Sequence, residues 1–146
     1  MAFIQSYGAA KVVTGSAHLL TLDSGTKILI DCGMFQGEHE KNNSEKFEFD
    51  PKEVDYLIFT HAHLDHVGRA PMLFKHGFRG KIITTKATLD LARIIMLDSA
   101  HLMKENFRLH FKKAQRRSEE HQVQQPLYTP QNVESLLSLK KKYAQY

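Results

Sequence analysis

Residues 56–66 read Tyr56-Leu57-Ile58-Phe59-Thr60-His61-Ala62-His63-Leu64-Asp65-His66. The first five are rich in aromatic and β-branched side chains, the composition of a strand. The next six hold three imidazoles and a carboxylate, donors that suit Zn2+, Mn2+ or iron. Side chains of an extended chain repeat every two residues, so His61 and His63 point to one side. Asp65 and His66 fall on the first turn of a following helix. The corner therefore offers two ligand pairs, His61 with His63 and Asp65 with His66, for two ions about 3.5–4 Å apart. A His-Glu-x-x-His site differs, because both of its imidazoles lie on one helical face. A lone histidine here would read as an exposed loop residue. Four donors in six positions, between an apolar strand and a helix start, read as a metal site.

Upstream, the runs 19–22 and 27–30 flank Asp23-Ser24-Gly25-Thr26, a hairpin signal with Gly25 in the tight turn. Ile28-Leu29-Ile30 is continuously apolar, which predicts a strand buried on both faces. Residues 38–50 are polar without a period and predict a surface loop, and Pro51 opens a short helical turn. Downstream, residues 67–75 predict a helix with Pro71 as an early break, and residues 81–85 a further core strand. Leu89, Ala92, Met96 and Ala100 recur at helical spacing, so 86–111 predicts a long helix capped by Thr85 or Thr88. Residues 112–125 are charged and predict fraying into a loop. Thr129-Pro130 predicts the capped start of a last helix with Leu136, Leu137 and Leu139 on its apolar side. Strands alternating with helices indicate α/β architecture.

The chain has 146 residues, 42% apolar and 25% charged, enough for one domain with a packed core. No apolar run reaches the ~18 residues of a membrane span. The segment Met1 to Ser6 lacks the basic and apolar regions of a secretion signal. Cys32 is the single cysteine, which excludes an intramolecular disulfide. A cytoplasmic protein with no membrane partner is expected. The net charge of +4 is uneven: residues 101–146 hold nine Lys/Arg and four Asp/Glu. Such a basic third either favours a polyanion or is a solvated helical face. Cys32 reads as a small buried apolar residue. Arg69, just past the histidines, either meets phosphate or is a helix surface charge. His18, His39, His76, His101, His110 and His121 read as structural or surface residues.

The loop His61-x-His63-x-Asp65-His66 after an apolar strand resembles the signature of the metallo-β-lactamase fold. Gly8-Ala9-Ala10, Val13-Thr14-Gly15-Ser16, Leu29 through Gly37, Thr60 through Pro71, Leu97-Asp98-Ser99-Ala100 and Pro126-Leu127-Tyr128-Thr129 make the chain resemble the β-CASP branch of that fold. That branch contains RNA-processing endo- and exonucleases. The resemblance implies an α/β fold that is half of an αββα four-layer sandwich, a mixed sheet flanked by helices. It implies that His61, His63, Asp65 and His66 are metal ligands, for Zn2+ with Mn2+ as the alternative, two ions occupying the complete site. The catalytic carboxylates it implies are Asp65 and Asp31. Asp31 would stand behind the ligands and accept a hydrogen bond from a ligand imidazole. Members also carry later ligands in Gly-His and Gly-Asp segments, and neither pair follows His66. Residues 1–146 are therefore expected to be the N-terminal half of such a domain, without the β-CASP domain or the C-terminal half, holding metal weakly or at one site. Half a sandwich leaves a bare sheet face, and a homodimer through that face is expected.

The leading functional expectation is a metal-dependent hydrolase of RNA phosphodiesters, with RNA as its partner. The alternatives are a catalytically silent module that binds RNA or a protein partner, and a hydrolase of small esters or thioesters. Gly33-Met34-Phe35-Gln36-Gly37 and the basic balance argue against the last.

Overall fold

The computed structural model describes residues 1–144. Six strands form one mixed sheet in chain order: β1 (Phe3–Gly8), β2 (Ala17–Thr21), β3 (Lys27–Ile30), β4 (Tyr56–Ile58), β5 (Lys81–Thr84) and β6 (Lys141–Tyr143). β1, β2 and β3 pair antiparallel, whereas β3, β4, β5 and β6 pair parallel. The β2–β3 turn places Gly25 at φ +83°, a left-handed backbone that glycine adopts without a steric penalty. Parallel neighbours need crossovers. Two short 3-10 turns, Gly37–Ser44 and Pro51–Glu53, lie between β3 and β4. Helices α1 (Leu64–Val67) and α2 (Ala70–Lys75) link β4 to β5, and α3 (Lys86–Gln115) and α4 (Pro130–Leu137) link β5 to β6.

The register aligns Leu19, Leu29, Leu57 and Ile82 across four strands, and each is at most 4% exposed. They join one core with Val67, Leu73, Ala92, Met96, Val133 and Leu136 from the four helices. Leu20, Ile28, Tyr56, Ile30, Ile58 and Ile83 alternate onto the opposite face, where they are only half-buried. The expectation that β3 is buried on both faces therefore fails at Ile28 and Ile30. The strand's period of two sends only Leu29 into the helix layer.

Both helix starts follow from local chemistry. The Thr85 hydroxyl accepts from the Thr88 amide at 3.1 Å, and Thr129 and Asn132 form a reciprocal capping box. Pro71 opens α2 instead of breaking a helix, because the first turn needs no amide from it. α3 runs four residues beyond the expected Phe111, through lysines, alanine and glutamine that favour helix. The polar segment 38–50 is partly ordered: Asn43 is buried and brackets Phe35, accepting from its amide and donating to its carbonyl at 2.8 Å each. β1 and β6 carry no sequence signal, because each is a largely exposed edge strand. Among the described residues no helix is long and apolar enough to cross a membrane.

Leu57 has no exposed surface, so Leu57→Ala is expected to destabilise the chain by about 2–5 kcal/mol in urea denaturation. Cys32 is 1% exposed, and burial pushes its thiol up from 9.0 to about 12. It is expected to resist Ellman's reagent at neutral pH until the chain is unfolded. The unfolded thiol ionises near 9.0 and the folded one near 12. Its contribution to stability is thus complete below pH 9.0 and declines as pH rises towards 12, which the urea midpoint measured against pH reads.

Candidate metal centre

The histidine loop leaves the carboxyl end of β4, beside the carboxyl end of β3, where open α/β sheets present their sites. Backbone bonds clamp it to the segment after β3. The amides of Cys32 and Met34 donate to the carbonyls of His66 and Leu64, at 2.8 and 3.1 Å. The Arg69 amide donates back to Cys32 at 2.8 Å, and the Ser16 amide donates to the Asp65 carbonyl at 2.8 Å. The two segments approach closely at Gly33, where a Cβ would stand 1.6 Å from the Asp65 carbonyl oxygen. Only glycine admits that contact. His63 is the N-cap of α1, which puts Leu64, Asp65 and His66 on its first turn as the spacing predicts.

Asp31 is 2% exposed and sits at φ +60°, a left-handed conformation uncommon outside glycine. Three donors hold its carboxylate. Oδ1 accepts from the Thr60 amide at 2.9 Å, and Oδ2 accepts from the Thr60 hydroxyl and from His66 Nδ1, both at 2.8 Å. The Thr60 hydroxyl also lies 3.0 Å from His61 Nδ1. Its single proton goes to Asp31, so at His61 it acts as acceptor. Both His61 and His66 are thereby assigned the Nδ1–H tautomer, leaving Nε2 with a free lone pair. This is the form in which a neutral imidazole ligates a metal.

The four sequence-predicted ligands gather at this corner. The His61 ring centroid is 3.9 Å from that of His66 and 4.6 Å from that of His63, and His66 Nε2 is 3.6 Å from Asp65 Oδ2. Among the described residues, no three His, Cys, Asp or Glu side chains surround a common point. The donor set nevertheless fits a divalent ion by type: three imidazoles and one carboxylate, with two of the imidazoles held in the ligating tautomer.

Thr60 was not singled out from sequence. A hydroxyl preceding the first histidine is its signal, and that signal has meaning only once Asp31 is known to face it. The surface-charge reading of Arg69 is corrected: the side chain is 7% exposed, and Nη2 donates to the Glu45 carbonyl at 2.8 Å. Its guanidinium lies 4.5 Å from the Phe47 ring. The remaining histidines stand apart from the cluster. His18 Nδ1 is 2.8 Å from the Ser6 hydroxyl, and His76 Nδ1 is 2.8 Å from the Met72 carbonyl at the end of α2. His101, His110 and His121 are exposed.

The chain is similar to a ribonuclease, a transcription termination factor and a cleavage and polyadenylation factor subunit. The chain is 55% identical to ribonuclease TTHA0252 of Thermus thermophilus over 104 residues, 71% of this chain and 24% of that protein. It is 38% identical to the transcription termination factor FttA of Methanosarcina mazei over 100 residues, 65% of this chain and 15% of that one. It is 31% identical to cleavage and polyadenylation specificity factor subunit 3-II of Arabidopsis thaliana over 103 residues, 66% of this chain and 17% of that one. The chain spans about a quarter or less of the length of these curated relatives. They agree with the RNA-processing branch that the sequence resembles. Residues 10–96, more than half of the chain, match the metallo-beta-lactamase superfamily from before β2 into α3. With its histidine loop inside that match, the chain belongs to the metallo-beta-lactamase superfamily.

Proposed function

We propose that this chain supplies the N-terminal half of a hydrolase domain that cleaves RNA phosphodiester bonds with a divalent metal. The observation that carries the reading is the buried Asp31 carboxylate, which reaches one imidazole directly and a second through Thr60. Superfamily membership implies a divalent metal, and the nitrogen-rich donor set favours Zn2+, with Mn2+ as the alternative. RNA as substrate is supported by the names of the relatives and by the basic third after residue 100. The single buried cysteine fits a cytoplasmic setting.

His61, His63, Asp65 and His66 would hold the metal. A divalent ion held there would supply the positive charge that displacement at a phosphodiester requires. Asp31 orients His66 and keeps its proton on Nδ1. Thr60 does the same for His61 and so couples the two rings to one carboxylate. Asp65 adds the negative charge that draws a cation to the otherwise neutral imidazoles.

A second reading, a silent module that binds RNA without cutting it, is favoured by the absence of three converging donors among the described residues. Labelled single-stranded RNA incubated with the chain and Zn2+ or Mn2+ separates the two. The proposal expects metal-dependent cleavage that His63→Ala abolishes; RNA retained but uncut would favour the silent module. Asp31→Asn is expected to weaken Zn2+ binding by about 10- to 100-fold in calorimetric titration, as loss of a ligand-orienting partner does elsewhere. Unchanged affinity would remove Asp31 from the site.

The half-exposed apolar sheet face supports pairing of two copies through that face. Light scattering at micromolar concentration is expected to give the mass of a dimer, and a clean monomer would contradict it.

A further inference from the structure

Arg69 is buried, yet no carboxylate among the described residues pairs with it. Its guanidinium lies 4.5 Å from the Phe47 ring and 5.7 Å from the Phe35 ring, and Nη2 donates to the Glu45 carbonyl. Among the described residues its Nε has no hydrogen-bond partner. A guanidinium taken out of water without a counter-charge is costly, and an anion brought beside it recovers that cost. Burial pulls its pKa down, and the charge of Glu45 opposes that shift only in part.

The same side chain forms part of the wall of an open cleft of about 300 Å3. That volume lies at the lower end of small-ligand sites. Lys11 and Lys46 line it, outnumbering with Arg69 the two lining carboxylates, Glu45 and Glu48. Tyr7, Phe47 and Phe49 supply ring surface: Tyr7 and Phe49 are 4.9 Å apart, and Phe47 and Phe49 are 5.3 Å apart. Cations interleaved with aromatic faces hold single-stranded nucleic acid, the cations meeting phosphate and the rings stacking on bases. The cleft is also tied to the metal loop. Arg69 follows His66 by three residues, and its amide is bonded to Cys32, next to Asp31.

We propose that this cleft is a nucleotide subsite, in which Arg69, Lys11 and Lys46 take a phosphate group and Tyr7 or Phe49 stacks on the attached base. The inference rests on RNA being the ligand of the proposed hydrolase but needs neither metal nor cleavage.

The test is fluorescence anisotropy of labelled oligouridylate, with and without a 5′-phosphate, in the presence of EDTA. Failure of hydrolysis in the cleavage assay leaves this binding measurement intact. Lys11→Ala combined with Lys46→Ala changes two exposed side chains, so the fold is retained, and circular dichroism checks it. This variant is expected to bind at least fivefold more weakly and to show a shallower dependence of affinity on salt. Tyr7→Ala is expected to lose roughly 5- to 150-fold, the equivalent of one stacked base. Arg69→Met, which keeps the volume and drops the charge, is expected to lose as much as the double lysine variant. Loss on both oligonucleotides identifies an internal phosphodiester as the group bound, and loss confined to the 5′-phosphorylated one identifies a terminal phosphate. Unchanged affinity in the lysine and Tyr7 variants would overturn the proposal and leave Arg69 as a packing residue.

Discussion

The histidine corner depends on one buried carboxylate. Asp31 accepts three hydrogen bonds, two from Thr60 and one from His66, in a left-handed backbone conformation that costs of order 1 kcal/mol. The conformation persists because the Asp31 amide is bonded to Ile58 at the end of β4, so both the main chain and the side chain of Asp31 reach the β4 end. Parallel pairing of β3 with β4 brings these ends together. The sheet is therefore the device that delivers a carboxylate to histidines thirty or more residues away.

From that contact the chemistry propagates through protons. Ionised Asp31 only accepts, so the Thr60 hydroxyl donates to it and accepts from His61. One carboxylate thus sets the ligating tautomer of two rings. Gly33 permits the approach: any side chain there would collide with the backbone of Asp65 and push the loop away from the segment that holds it. Orientation from behind and close backbone packing are the two constraints that the fold places on these four side chains.

The part of this that was legible in the sequence is the part carried by local pattern. The histidine loop, the β2–β3 hairpin, the caps at Thr85 and Thr129 and the core stripe of α3 all depend on neighbours within a few residues. Edge strands β1 and β6 were not legible, because exposed strands lack the apolar alternation that marks a half-buried one. Ile28 and Ile30 were misread because an apolar run does not say which of its faces a helix covers. The role of Thr60 and the burial of Arg69 were the deeper omissions. Their roles depend on Asp31, Phe47 and Glu45, side chains that only the tertiary fold places beside them.

The most direct measurement is long-range 1H–15N correlation of the imidazole nitrogens in the metal-free chain at slightly alkaline pH. The Asp31–Thr60 network predicts that His61 and His66 each show a protonated Nδ1 and a bare, pyridine-like Nε2, and that Thr60→Val releases His61 alone. Rings averaging between tautomers, or protonated at Nε2, would contradict the claim that one carboxylate prepares this corner for a metal.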